Sequence, residues 1–107
     1  KLFRVNPHTG AIREVASGFA GATNLAIGSD GRIYVAEYFA GRISVVNRGK
    51  VKPFLTLHNV VALESEGRTL WAGTTVNLDP SLPPVPGTIV KIVNGKASRH
   101  SVFTIKH

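Results

Sequence analysis

The chain repeats itself, and this internal repeat constrains the fold more than any other feature. The segment GSDGRIYVAEY, residues 28–38, returns as ESEGRTLWAGT, residues 64–74, displaced by 36 positions. The Asp30-Gly31 pair corresponds to Glu66-Gly67, and an arginine follows each pair. A fixed internal period of this length indicates that copies of one supersecondary unit are stacked along the chain.

Short apolar runs separated by turn residues, without helical periodicity, predict an all-β fold. Ser29-Asp30-Gly31 and Asn94-Gly95 are hairpin signals. Pro53 cannot donate a hydrogen bond to a neighbouring strand, so its strand is expected at an outer edge. The predicted strands are residues 2–5, 12–16, 23–27, 32–38, 42–47, 50–57, 60–64, 68–73, 88–93 and 96–105.

Grouped by the repeat, these strands predict antiparallel four-stranded β-propeller blades, about two and a half in number. Residues 1–17 are the outer half of one blade, residues 18–58 a complete blade, and residues 59–107 a complete blade with a proline-rich insertion at 75–87. Because a propeller needs about 4–8 blades to close, we expect the chain to belong to a larger, six-bladed propeller and not to be stable alone. The remaining blades would come from the same gene product or from other copies of the chain.

Composition narrows the possible partners. The formal net charge is +7, but the lysines and arginines are scattered over turns and strand ends without interleaved aromatic residues, so no nucleic acid partner is predicted. No segment reaches the ~18 uninterrupted apolar residues of a membrane helix, so no membrane span is predicted. The chain contains no cysteine, which excludes disulfide and thiolate chemistry within it.

Four stretches carry a family resemblance: LFRVNPHTG at 2–10, TNLAIGSDGRIYVAEYFAGRIS at 23–44, PFLTL at 53–57 and GTIVKI at 87–92. They resemble the repeats of NHL and SMP-30-like six-bladed propellers. Within these, they are most similar to the ScyD/ScyE-like proteins of scytonemin-type gene clusters and their secreted bacterial relatives. The resemblance implies an extracellular or periplasmic protein. It also implies a possible axial metal, because SMP-30-like lactonases hold a divalent cation with carboxylate and amide oxygens.

Residues that depart from the repeat are the better candidates for function. Glu37 stands where the next copy has Gly73, and Asn24 where it has Val60. Both are expected near the propeller axis, and their oxygens suit Ca²⁺ or another divalent metal. The structural alternative is that Glu37 accepts backbone N–H groups from the turn at 39–41, with no cofactor bound.

The insertion TVNLDPSLPPVPG, residues 75–87, is the second departure, and it holds four of the six prolines. A stiff, extended loop of this kind either binds a partner or is a plain surface excursion. With Asp79 from this loop, the candidate ligand-binding residues are Asn24, Glu37 and Asp79.

A non-catalytic propeller segment that binds a small-molecule ligand or a protein is the leading functional hypothesis. It rests on the lack of a Ser-His-Asp order, a zinc-binding helix motif or a P-loop, so no catalytic residue is assigned. The first alternative is a fragment of an SMP-30/gluconolactonase-like metal-dependent hydrolase. The second is a structural assembly module.

Apolar residues of the strands predict the core, and Trp71→Ala is expected to cost ~3–5 kcal/mol, the usual range for deleting a buried large aromatic side chain. The predicted core residues are Leu25, Ile27, Tyr34, Val35, Ile43, Val45, Val61, Leu63, Leu70, Trp71, Ile89 and Ile92.

Overall fold

The computed structural model describes residues 1–77, 79–94 and 96–103, the last six of these by their backbone alone. These ranges contain strands, turns and loops but no helix, and hence none long and apolar enough to cross a membrane. The strands are β1 (Leu2–Val5), β2 (Ile12–Ala16), β3 (Ala22–Ile27), β4 (Ile33–Glu37), β5 (Arg42–Asn47), β6 (Lys50–Thr56), β7 (Val60–Glu66), β8 (Thr69–Thr74), β9 (Gly87–Val93) and β10 (Lys96–Phe103). They confirm the predicted strands to within two residues at each end. Thr104 and Ile105, the predicted end of the last strand, and Gly95 of the predicted turn lie outside the described residues.

The strands form three antiparallel sheets, each a simple meander in chain order. The first sheet is β1–β2, the second is β3–β4–β5–β6, and the third is β7–β8–β9–β10. The sheets stack, and β7 of the third sheet packs against β3 and β4 of the second. This arrangement is the predicted grouping of two, four and four strands.

Local chemistry explains the turn and the edge of the second sheet. In the β3–β4 turn the Gly31 N–H donates to the Gly28 carbonyl at 2.9 Å, and Gly31 has a φ of 82° that other residues adopt at a cost. Pro53 lies on β6, opposite Ser44 of β5 and next to a shift in register. As predicted, β6 is the outer strand of its sheet. An outer strand tolerates proline, because an N–H on its free side has no partner strand.

The central strands of the second sheet, β4 and β5, are buried on both faces. Because successive strand residues point to opposite faces, Val35 and Ala36 serve different cores. Val35 packs with Leu2 and Ala16 of the first sheet, whereas Ala36 packs in the core shared with the third sheet. This larger core comprises Ala26, Ala36, Ile43, Val60, Leu63, Leu70, Ala72, Val90 and Ile92.

Structural equivalence between the second and third sheets differs from the repeat in the sequence by one residue on β4 and β8 and by two residues on β3 and β7. The innermost strand pair of each sheet contains a register shift. Directly after it, Asn24 pairs with Ala36 in the second sheet, and Ala62 pairs with Gly73 in the third. Ala36 therefore corresponds to Gly73, a displacement of 37 residues, whereas the repeated letters align it with Ala72.

This difference moves Trp71 to the other face of its sheet, because a slip of one residue reverses every side chain. Trp71 corresponds structurally to Tyr34, and Ala72 to Val35. Ala72 faces the core between the second and third sheets, whereas Trp71 is half-buried on the opposite face, with the Lys91 Nζ 5.6 Å from its ring centroid. Trp71, predicted as a core residue, is therefore half-buried and lies outside both clusters of buried residues.

The other predicted core residues differ in how deeply they are buried. Val35, Ile43, Leu63, Leu70 and Ile92 are buried, as predicted, and Tyr34, Val45, Val61 and Ile89 are half-buried. Leu25 and Ile27, which the sequence predicts in the core, are 43% and 59% exposed. The first sheet has two strands in the described part of the chain, and these leave the inner strand β3 open on that side.

Candidate functional site

Glu37 ends β4 with its side chain fully buried, and its carboxylate is surrounded by donors. The Arg42 Nε donates to Oε2 at 2.9 Å, and the Arg42 Nη2 donates to Oε1 at 3.3 Å. The Ala20 backbone N–H donates to Oε1 at 2.9 Å, and the Ser44 hydroxyl donates to Oε2. The carboxylate therefore holds the linker between β2 and β3 against the end of the second sheet.

Glu37 accepts a backbone N–H, as predicted, but the donor is Ala20 and not a residue of the turn at 39–41. The donor lies in the linker that precedes β3, and the turn at 38–41 bonds to that linker instead. The Phe39 N–H donates to the Ala20 carbonyl, and the Tyr38 N–H donates to the Gly21 carbonyl. Linker and turn consequently close over the Glu37 carboxylate.

The environment of Glu37 favours its charged form. Burial raises the pKa of the carboxyl, but the hydrogen bonds and the charge of Arg42, together with the other donors, lower it by more. The pKa of Glu37 therefore lies below its ordinary value of 4.5. The same contact raises the pKa of Arg42. Both residues are ionised at neutral pH, and the charge of Arg42 compensates the charge of Glu37.

Asn24 lies on β3 and is exposed, and its Oδ1 accepts a hydrogen bond of 2.8 Å from the neighbouring Leu25 N–H. It pairs across the sheet with Ala36, one residue before Glu37. The structural counterparts of Glu37 and Asn24 in the third sheet are Thr74 and Ala62, not the Gly73 and Val60 of the sequence alignment. Among the described residues there is no group of three or more His, Asp or Glu side chains that could hold a metal ion.

Asp79 belongs to the loop between β8 and β9, and it organises that loop locally. Its Oδ1 accepts hydrogen bonds from the Ser81 hydroxyl at 2.7 Å and from the Ser81 N–H at 2.9 Å. These two bonds lower the pKa of Asp79 below its ordinary value of 3.8. The base of the loop is fastened by a 3.0 Å hydrogen bond from Asn59 to Asn77. In the described structure no hydrogen bond joins Asp79 to Glu37 or Asn24.

A cleft of about 460 Å³ lies between the second and third sheets, at the end where the β3–β4 and β7–β8 turns meet. The first turn contributes Asp30 and Arg32, whose side chains form an ion pair of 3.5 Å. The second turn contributes Arg68, which forms no hydrogen bond or ion pair with the other described residues. Two equivalent turns thus bring an arginine each to one cleft.

Aromatic and small residues shape the inner wall of this cleft. Tyr34 and Phe54 pack edge to face, with ring centroids 5.0 Å apart and an interplanar angle of 65°. Gly28 lies beside them, and a Cβ at this position would lie 3.0 Å from the Tyr34 ring and 2.9 Å from the Asp30 Oδ1. The turn can approach the tyrosine this closely because residue 28 has no side chain.

Sequence reasoning missed this cleft, although its signal is visible. Arg32 and Arg68 follow the Asp-Gly and Glu-Gly turns in both copies of the repeat. Residues that obey a repeat are explained by the fold, and the repeat alone therefore does not mark these two arginines as functional. Stacked repeats also bring equivalent turns together, and an arginine in each of the two turns gives a pair of arginines in one cleft, although the register makes Thr69 the counterpart of Arg32.

Comparison with known proteins shows the fold. Neither the protein-family models nor the curated proteins include a match to this sequence. Two solved structures are similar. A protein from Thermus thermophilus, described as an oxidoreductase (glucose dehydrogenase), aligns with a TM-score of 0.63 and 19% identity over 84% of this chain and 30% of its own. The PQQ-bound aldose sugar dehydrogenase from Streptomyces coelicolor aligns with a TM-score of 0.55 and 18% identity over 85% of this chain and 30% of its own.

Both neighbours are β-propeller proteins, and the described strands confirm the predicted all-β fold of antiparallel propeller sheets. The chain spans 30% of the length of each neighbour. At these identities the similarity shows the fold and not the activity. The finer resemblance to NHL, SMP-30-like and ScyD/ScyE-like proteins stays a prediction.

Proposed function

We propose that the chain is a non-catalytic binding segment of a β-propeller, and that it binds a small anionic molecule in the cleft between the second and third sheets. The observation that supports this most is the convergence of Arg32 and Arg68 on one cleft. Small-molecule sites are typically concave, with an apolar wall and a few polar groups that set orientation. Loops held by a rigid scaffold commonly supply those groups.

The charge of the cleft favours an anion. Its lining carries two guanidinium groups, from Arg32 and Arg68, against the single carboxylate of Asp30. A guanidinium matches a carboxylate with two parallel hydrogen bonds. Since Asp30 already pairs with Arg32, Arg68 is the arginine whose donors are available to a ligand.

The rest of the lining favours a ligand with hydroxyl groups. Ser65 and Thr69 contribute side-chain hydroxyls, and the Tyr34–Phe54 pair contributes flat aromatic surface. A carbohydrate ring presents C–H groups that pack on such a surface and hydroxyls that reach polar side chains. A sugar acid combines this ring with a carboxylate, and we therefore propose the sugar acids as the ligand class.

An NMR titration with D-glucuronate tests the proposal, with D-glucose as the matched uncharged probe. We expect backbone amide shifts at residues 28–32 and 65–69, and weaker binding of glucose. Because a charge-assisted hydrogen bond contributes ~1.5–3 kcal/mol, Arg68→Gln should weaken glucuronate binding by about tenfold or more. The control Arg13→Gln removes an exposed arginine of β2 outside the cleft. Equal binding of the two sugars, or an equal loss in both variants, would contradict the proposal.

The alternative, a fragment of a metal-dependent hydrolase, places Ca²⁺ at Glu37 and Asn24. A cation at Glu37 would have to displace Arg42, which already holds the carboxylate. Calcium titration by calorimetry separates the two proposals. Binding of Ca²⁺ that is lost in Glu37→Gln would favour the hydrolase, whereas the glucuronate result depends on Arg68.

A further inference from the structure

The inner strand of the second sheet carries an apolar strip on the side of the first sheet. Leu25 is 43% exposed and Ile27 is 59% exposed. They lie opposite Val35 and Ile33 of β4, whose side chains pack against the first sheet. The strip therefore continues an existing sheet-to-sheet interface beyond the point where the first sheet covers it. A groove of about 290 Å³ between Leu25, Leu2 and Phe19 marks this point.

The third sheet provides an internal comparison for this strip. Leu63 occupies the position on β7 that Leu25 occupies on β3, one residue after the paired positions Ala62 and Asn24. Leu63 is only 5% exposed, because it packs in the core with Ala26 and other residues of the second sheet. The leucine at this position is buried in the third sheet, which follows a four-stranded sheet. It is exposed in the second sheet, which follows a two-stranded sheet.

The first sheet also has an unpaired edge that faces this strip. Its strand β1 pairs with β2, and in the described structure no strand lies on the other side of β1. β1 corresponds to β5 of the second sheet: Leu2 is buried against the second sheet as Ile43 is buried against the third. In the second sheet the partner on that side is β4, followed by β3.

We propose that the Leu25–Ile27 strip is the docking surface for an antiparallel β-hairpin that pairs with the free edge of β1 and completes the first sheet to four strands. The hairpin should resemble β3–β4, with small apolar residues such as Ala26 and Ala36 facing the strip, since these residues share one core with Leu63 in the next interface. Exposed apolar strips beside open strand edges are surfaces that proteins normally cover.

We assign this hairpin to the same, longer polypeptide, because the chain spans 30% of the length of each structural neighbour. The inference is independent of the ligand proposed for the cleft, which lies at the other face of the second sheet.

Single-cysteine labelling tests the docking surface, because the chain has no cysteine of its own. Leu25→Cys is labelled with a maleimide in the 107-residue chain and in an extended chain that carries a second copy of residues 19–41 ahead of Lys1. In the extended chain Lys1 follows Gly41 as Arg42 does in the second sheet. We expect labelling of the cysteine to slow by about tenfold or more in the extended chain, as burial protects it. Ile12→Cys is the control, because Ile12 is 68% exposed on β2, away from the strip, and its rate should not change.

Two further measurements apply if the extended chain fails to fold. A synthetic peptide of residues 19–41, added to the 107-residue Leu25→Cys protein, should slow its labelling in a saturable manner. Light scattering reports whether the protein is a monomer. Labelling that is equally fast with and without the folded extra hairpin or the peptide would overturn the proposal. Slow labelling in a dimer of the 107-residue chain would also overturn it, since a second copy would then cover the strip.

Discussion

Glu37 and Arg42 form an ion pair across the last residue pair of β4 and β5, with 2.9 Å between Oε2 and Nε. The Glu37 side chain is fully buried, whereas that of Arg42 is 35% exposed. The same carboxylate accepts the Ala20 N–H from the linker before β3. One carboxylate therefore connects the end of the second sheet to the linker between β2 and β3.

Glu37→Gln should destabilise the fold. The substitution keeps the shape of the side chain but removes the charge that pairs with Arg42, and it turns one acceptor into a donor that faces other donors. We expect the free energy of unfolding to fall by about 2 kcal/mol, the usual cost of an unsatisfied buried polar group. Urea denaturation measures the change. Glu64→Gln, at an exposed position of β7, is the control and should change little. If both variants lost the same amount, the buried pair would not be stabilising.

Stability should decrease at acidic pH through the same residue. The pKa of Glu37 is lower in the folded state than its ordinary value of 4.5, so the unfolded chain takes up the proton first as the pH falls. The contribution of the pair is complete above that ordinary value and is lost as the pH falls through the lower folded pKa. Denaturation curves between neutral pH and pH values below 4.5 should show this loss, and Glu37→Gln should show less of it. A parallel pH dependence in wild type and variant would assign the acid sensitivity to other carboxyls.

Gly21→Ala should cost more than Gly18→Ala, although both residues lie in the same linker at positive φ. A Cβ on Gly21 would lie 2.6 Å from the Phe39 ring and 3.0 Å from the Phe39 backbone nitrogen, whereas one on Gly18 would meet nothing within 4 Å. We expect a loss of ~1 kcal/mol for Gly18→Ala from backbone strain alone, and of ~2 kcal/mol or more for Gly21→Ala. Thermal unfolding of the two variants provides the measurement. Equal losses of stability would mean that Phe39 moves away from the new Cβ without a cost in free energy.

Ile43→Ala should be strongly destabilising, and Ile12→Ala should not. Ile43 is fully buried between the second and third sheets, whereas Ile12 is 68% exposed on the first sheet. Removing three carbons from a closed core costs ~2–5 kcal/mol, and a comparable change on an open surface costs within about 0.5 kcal/mol. Chemical denaturation of the two variants measures this difference. A large effect of Ile12→Ala would show that the outer face of the first sheet is covered in solution.

The strands and their turns could be predicted from the sequence because they depend on neighbours along the chain. Gly31 accepts a positive φ, and Pro53 removes a donor from an outer strand, whatever lies above or below the sheet. The repeat likewise predicts the grouping into sheets, since equivalent strands recur in the same order. These features are local, and the amino-acid types at a few positions determine them.

The faces of the strands depend on register, and the repeat misplaces the register of β8 relative to β4 by one residue. Between equivalent strand positions the β7–β8 hairpin is one residue shorter: five residues separate Ile27 from Ile33, and four separate Ser65 from Leu70. The displacement is therefore 38 residues on the innermost strands and 37 on the next strands, and neither equals the 36 of the repeated letters. Trp71 therefore lies on the face opposite to the one that Val35 predicted for it. The pairing of strands decides this, because a slip of one residue inverts a whole strand.

The sequence by itself determined an all-β chain of antiparallel sheets and the order of its strands. Only the tertiary structure decided that Arg32 and Arg68 share one cleft, that Glu37 is closed in by Arg42 and Ala20, and that Leu25 is open where Leu63 is buried. The physical reason is that burial and proximity across stacked sheets depend on what the neighbouring sheet supplies, and two identical leucines have different surroundings when one of those sheets has two strands and the other has four.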